Sequence, residues 1–181
     1  MTEFEDTMIL LSSEKSAAAL VDELATLLIR AQWKLATAES CTGGMIAAAC
    51  TDLAGSSAWF ERGFVTYSNA AKTELLGVPH ALTENPGAVS EPVVRAMAQG
   101  AVSHSKAQIS VAVTGVAGPT GGSIAKPVGT VWFGFCTPKG MVTEMHRFPG
   151  DRAAVRSATV THALRRMVEL VAAALTPAVR P

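Results

Sequence analysis

The stretch Thr37-Ala38-Glu39-Ser40-Cys41-Thr42-Gly43-Gly44-Met45-Ile46-Ala47-Ala48-Ala49 restricts the fold more than any other part of the chain. An apolar lead-in ends in adjacent side-chain nucleophiles, and a glycine pair opens an alanine-rich helix. A strand, a tight turn and a helix start in that order belong to an α/β sheet. At the carboxyl edge of such a sheet the last side chains of a strand meet the free N–H groups of the next helix, and ligands collect there. The first helical turn carries partial positive charge, which suits a substrate phosphate or an oxyanion formed during acyl transfer. Serine or threonine before a helix is also the ordinary N-cap, so this motif by itself marks a place for chemistry and no more.

The rest of the chain supplies a sheet around that unit. Ser13 can cap a helix whose Ala17, Leu20, Leu24, Leu27 and Ala31 recur at steps of three and four, giving a stripe that packs on a sheet. Lys34 to Glu39 is the first strand, and a helix runs from about Gly43 to Leu53 before Gly55-Ser56-Ser57 breaks it. Trp59 to Tyr67, aromatic and β-branched, reads as a strand, and Asn69 to Leu76 as a short helix stopped by Gly77 and Pro79. His80 to Val89 reads as loop, and Ser90 caps a helix with Pro92 in its first turn. Gln108 to Thr114 is an apolar strand running into a second Gly-rich turn, Gly115-Val116-Ala117-Gly118-Pro119-Thr120-Gly121-Gly122. Gly129 to Cys136 and Met141 to Phe148 face each other as an antiparallel hairpin, and a long last helix buries Val160, Leu164, Met167, Val171 and Leu175 before Thr176-Pro177. The expectation is an α/β protein, a three-layer α/β/α sandwich with a mixed, mostly parallel sheet and one antiparallel hairpin. Residues 1–12 read as a flexible leader and 13–176 as a single domain, with the two Gly-rich strand ends bordering one cleft.

Composition narrows the function. Fifteen basic residues balance fifteen acidic ones without a basic run, so no nucleic-acid partner is expected. Cys41, Cys50 and Cys136 are odd in number and unpaired in spacing, which indicates free thiols in a reducing compartment. The start is acidic where a signal peptide is basic, and charges interrupt the apolar runs of both long helices, so the expectation is a cytoplasmic protein without a membrane span. His80, His104, His146 and His162 are dispersed, with no pair at helical ligand spacing and no carboxylate cluster beside them; neither a metal nor a cofactor is expected.

Without a histidine base, activation of Ser40 falls to lysine or tyrosine. Lys72 and Tyr67 are five positions apart, one in a helix and one at the preceding strand end, so both can point to the edge that carries Ser40. A lysine acts as a base only where burial or a neighbouring cation lowers its pKa; a solvated helix face and a core tyrosine are the bland alternatives. Cys41 is a rival nucleophile, since thiolates form more readily at helix N-termini, whereas Cys50 and Cys136 suit burial. Glu39 is either a base for Ser40 or electrostatic support for the helix start. The Gly115 to Gly122 turn can offer N–H groups to an anion and is not a Walker loop, because no Gly-Lys-Ser/Thr follows.

Taken together, Ala38-Glu39-Ser40-Cys41-Thr42-Gly43-Gly44, Gly55-Ser56-Ser57, Gly63-Phe64-Val65-Thr66-Tyr67-Ser68-Asn69 with Lys72, Gly87-Ala88-Val89-Ser90, Thr114-Gly115-Val116-Ala117-Gly118-Pro119 with Gly121-Gly122, and Lys126-Pro127-Val128-Gly129-Thr130-Val131 resemble the CinA C-terminal family, the nicotinamide mononucleotide deamidases. The resemblance covers roughly residues 14 to 175, and its motifs fall in the family's order. It implies an amidohydrolase that converts nicotinamide mononucleotide to nicotinate mononucleotide and ammonia without a metal. The family's serine, tyrosine and lysine fall on Ser40, Tyr67 and Lys72, and its Thr-Gly turn on Thr114 and Gly115, which would help hold the amide or its oxyanion. Cys41, Thr42, Gly43, Gly44 and Gly118 join them as substrate-binding candidates; the phosphate falls either to the Thr42-Gly43-Gly44 helix start or to the Gly118 to Gly122 loop. Pro86 stands where the family pattern carries His. The family also occurs fused behind a larger N-terminal domain, so this chain corresponds to a stand-alone form, and a homodimer is expected. The competing functions are a non-catalytic nucleotide-binding module in a competence or DNA-damage response, and an amidase or esterase with a different substrate.

Overall fold

A computed structural model describes residues 15–176; the expected leader and the Ser13 cap lie outside the described residues. Helix α1 (Ala17–Ala31) is capped by Ser16, whose Oγ accepts from Ala19 N at 3.2 Å. Its buried face is Leu20, Val21, Leu24, Ala25 and Leu28, so the expected stripe is rotated and leaves Leu27 and Ala31 half-buried. Strand β1 (Leu35–Glu39) is buried at every position. Helix α2 (Met45–Thr51), β2 (Phe60–Val65) and α3 (Asn69–Leu76) follow, each within the expected segment but shorter at the ends of α2 and β2. Trp59, expected in the strand, is instead a core side chain at its entrance. Ser68 Oγ caps α3 through Ala71 N, and Gly77 ends it.

Residues 80–89 are not simply loop: a single helical turn at His80–Leu82 passes into a π turn over Thr83–Gly87. Helix α4 (Glu91–Ser103) begins after Ser90, but Ser90 does not cap it; its hydroxyl donates to Gly87 O at 2.7 Å. Strands β3 (Ile109–Gly115), β4 (Thr130–Thr137) and β5 (Gly140–Arg147) complete the sheet, and α5 (Arg152–Leu175) closes the described chain.

The strand order is β2-β1-β3-β4-β5. β1 is parallel to β2 and to β3, while β4 is antiparallel to both β3 and β5, so β4 alone opposes the other four strands. Side chains alternate between faces along each strand. Leu35, Ile109, Val111, Val113, Val131, Phe133 and Phe135 pack with α1 and α5 on one face. Ala36, Ala38 and Ala112 meet α4 and the end of α3 on the other. The small side chains on this second face let α4 lie close: a Cβ at Gly134 would come 2.7 Å from Val94 O. Helices on both faces make the three-layer α/β/α sandwich. The connection from β1 to β2 runs through α2 on one face, and that from β2 to β3 through α3 and α4 on the other. The carboxyl ends of β1 and β3 therefore flank a switch point, where open α/β sheets form their crevice.

Candidate active site

The turns after β1, β2 and β3 converge on that crevice. Glu39 and Ser40 are adjacent in an extended segment and leave the sheet on opposite faces. Glu39 is fully buried beneath α2 and accepts four hydrogen bonds, from Thr42 Oγ1 at 2.7 Å, Gly44 N at 3.1 Å, Ile46 N at 3.0 Å and Ala47 N at 2.8 Å. It is the electrostatic support of the helix start, and among the described residues its carboxylate makes no hydrogen bond to Ser40 Oγ. It also occupies the N–H groups of Gly44, Ile46 and Ala47 at the helix start. Gly44 lies at φ +99, a left-handed turn conformation that only glycine takes without strain.

Ser40, 9% exposed, faces α3. Lys72 comes up from that helix and is 1% exposed. Its Nζ donates to Ser40 Oγ at 3.1 Å, to Thr66 O at 2.9 Å and to Tyr67 O at 3.2 Å. No carboxylate pairs with it among the described residues, and burial pulls its pKa below the ordinary lysine value. A lysine with a depressed pKa hydrogen-bonded to a serine hydroxyl has the geometry by which a base can activate a nucleophile.

Tyr67 joins this group only through its carbonyl. Its side chain is 61% exposed, and its hydroxyl accepts from Arg152 Nη2 at 3.1 Å. Cys41 is unsuited to attack: the side chain is packed in the core, and burial pushes the thiol up to about 11. Cys50 is pushed up to about 12 for the same reason. Thr114 is buried and donates its hydroxyl to Ala88 O at 2.9 Å, which ties β3 to the segment before α4. Gly115 is enclosed by β4, where a Cβ would meet Thr130 O at 2.8 Å.

Two residues at the start of α5 complete the site and stand out only in three dimensions. Arg152 donates to Gly118 O at 3.0 Å as well as to Tyr67, and Arg156 donates to Cys41 O at 3.1 Å and Thr42 O at 2.9 Å. One turn apart on the helix, they stitch all three strand-end loops together. They line a cavity of about 630 Å³ with Ala117, Pro119, Val128 and Gly150. Neither has a carboxylate partner among the described residues. The sequence signal was present, two arginines at i and i+4 on a helix end, but nothing local says what they face. Likewise, the dispersed histidines are not all dispersed in space: Glu144, His146 and His162 come together between β5 and α5, away from these loops in the chain.

Comparison with known proteins agrees with this architecture. The family model described as the CinA C-terminal domain matches residues 17–171. A protein of Enterobacter agglomerans named nicotinamide-nucleotide amidohydrolase PncC is 57% identical over 145 residues, 80% of this chain and 88% of that protein. A Pseudomonas putida protein of the same name is 56% identical over 137 residues, covering 76% and 86%. A solved structure, the competence/damage inducible protein CihA from Agrobacterium tumefaciens, superposes with a TM-score of 0.83 at 43% identity over 85% of this chain and 94% of that one.

Proposed function

Since the chain belongs to the CinA C-terminal family, we propose that it is an amidohydrolase cleaving the carboxamide of nicotinamide mononucleotide to nicotinate mononucleotide and ammonia, with Ser40 as nucleophile and Lys72 as its base. The observation that carries the reading is the buried Lys72 Nζ at 3.1 Å from Ser40 Oγ with no carboxylate to hold its proton. The amidohydrolase names of relatives 56–57% identical support the reaction class and substrate.

In this mechanism neutral Lys72 takes the Ser40 proton directly while Oγ attacks the carboxamide carbon. Tyr67 assists by holding Lys72 through its carbonyl; because its hydroxyl engages Arg152, it is not the relay. The oxyanion falls to the N–H groups of Cys41 and Thr42, since those of Gly43, Gly44 and Met45 already donate to Ser40 O, Glu39 and Thr42 O. Lys72 passes its proton to the departing nitrogen, and ammonia leaves an acyl-Ser40. Water then attacks the ester as Lys72 receives its proton, and Lys72 returns that proton to Ser40 Oγ as the acid is released, which restores both groups. Arg152 and Arg156, with the Gly118 loop, take the phosphate.

We also place the protein in the cytoplasm, a reading supported by free, buried Cys41 and Cys50 and by the absence of a membrane-length apolar helix among the described residues. A homodimer completes the reading: Val65 and Tyr67 expose apolar surface at the β2 edge, and sedimentation equilibrium tests it. The deciding experiment gives chelator-treated protein nicotinamide mononucleotide and measures ammonia and nicotinate mononucleotide, with Ser40→Ala alongside. Product from wild type and none from the variant is expected. Binding without product from wild type would reduce the protein to a nucleotide-binding module.

A further inference from the structure

We propose that Glu144, His146 and His162 form a binding site for one divalent transition-metal ion of the Zn2+ type, which clamps β5 to α5. The site is distinct from the Ser40 crevice and does not rest on the reaction proposed there.

Glu144 and His146 are two residues apart on β5, so they share the face of the strand that α5 covers. His162 reaches them from α5, with Nε2 at 2.8 Å from Glu144 Oε1. The two imidazole centroids lie 4.0 Å apart, and the three donor atoms all fall within 4.8 Å of one another. Donors around a tetrahedral Zn2+ with bonds of about 2.0–2.1 Å stand about 3.3 Å apart. Closure on an ion therefore takes only small side-chain rotations and, at His162, the tautomer that carries its proton on Nδ1 and leaves Nε2 free to bind.

The surroundings hold the two imidazoles aimed together. Phe133 packs on His162 at 4.6 Å and on His146 at 6.0 Å, and Phe148 lies 6.0 Å from each ring. Two imidazoles beside a carboxylate are the two-histidine, one-carboxylate donor set of mononuclear zinc sites, leaving a fourth position for water. Arg166 Nε donates to both Glu144 oxygens at 3.1 and 3.2 Å; it orients the carboxylate, and its charge opposes that of the metal. The expected affinity is accordingly micromolar, not the much tighter binding of an all-thiolate site. His162 is six residues from Arg156, about 9 Å along α5. An ion here would stiffen the helix end whose arginines hold the Ser40 turn.

The test uses tag-free, chelator-stripped protein titrated with Zn2+ by calorimetry and with Co2+ by visible spectroscopy. Expected are saturable single-site binding tighter than about 10 µM, a tetrahedral Co2+ spectrum, and a melting temperature raised by about 5–10 °C at a hundredfold excess over Kd. His162→Gln and Glu144→Gln should each weaken binding at least tenfold, and His146→Asn should do the same with circular dichroism unchanged. Cys136→Ser and His80→Gln should leave it intact. Absence of saturation below about 100 µM, binding undiminished in His162→Gln or Glu144→Gln, or loss of binding in Cys136→Ser would each overturn the assignment.

Discussion

Replacing Lys72 by Met separates catalysis from stability. The substitution keeps an unbranched side chain of similar volume and removes the ammonium. Ser40 Oγ loses its partner at 3.1 Å, and Thr66 O and Tyr67 O lose their donor. Each buried carbonyl left unpaired costs about 1–3 kcal/mol. Against that, the wild type holds an ammonium out of water without a carboxylate, at a cost of several kcal/mol. The two nearly cancel, so the melting temperature at pH 7 should move by no more than about 4 °C. Turnover should respond differently. A positioned base contributes about 10²–10⁴-fold, and here it also activates the nucleophile, so kcat should fall about 10³–10⁴-fold, or about 4–5.5 kcal/mol in the barrier. KM for nicotinamide mononucleotide should stay within about threefold, because the phosphate is assigned to Arg152 and Arg156.

The pH dependence carries the sign of the same argument. Burial lowers the Lys72 pKa below that of the unfolded chain, so between the two values the unfolded state binds the extra proton, and stability rises with pH across that window. Cys41 and Cys50, pushed up to about 11 and about 12, act oppositely above the ordinary thiol range. The difference between wild-type and Lys72→Met melting curves from pH 7 to 10 cancels most of the thiol contribution, and it should show wild type gaining relative to the variant as pH rises. Initial rates of ammonia release at saturating substrate complete the assay, and wild-type kcat should rise through the depressed lysine pKa. A kcat within tenfold of wild type, or a wild-type stability advantage that shrinks with rising pH, would refute the reasoning.

Iodoacetamide at pH 8 should leave activity intact and Cys41 unmodified in the native protein, since the thiol is buried and un-ionised there; rapid inactivation with label on Cys41 would restore it as the nucleophile. Glu39→Gln puts an amide donor among four donors, and should cost about 3 kcal/mol, seen as a melting temperature lower by roughly 6–12 °C; an unchanged melt would contradict its role under α2. Arg152→Ala should raise KM for the mononucleotide about tenfold or more while leaving KM for the phosphate-free riboside nearly unchanged; equal effects on both substrates would remove the phosphate assignment.

What could be read along the chain was whatever local periodicity or capping chemistry decides. Ser68 and Gly77 bound α3, and Lys72 therefore stands one turn inside a helix that begins where β2 has just ended. That placement is enough to bring a lysine to the strand edge carrying Ser40. The two-residue period of β1 likewise separates Glu39 from Ser40, and that alternation by itself removes the carboxylate as a base. The direction of the Tyr67 hydroxyl is another matter. It is set by Arg152, 85 positions further on, and the docking of α5 fixes both. Arg156 holding the carbonyls of Cys41 and Thr42 has the same origin, because α5 lies across loops far from it in sequence, and His162 meets Glu144 only once α5 folds back over the strand that precedes it. Even Ser90, in an apt N-cap position, turns its hydroxyl back to Gly87 because the preceding π turn offers a carbonyl there. The proposed nucleophile and base lie on segments whose placement is local, whereas the groups assigned to the phosphate and to a metal ion depend on how the last helix packs.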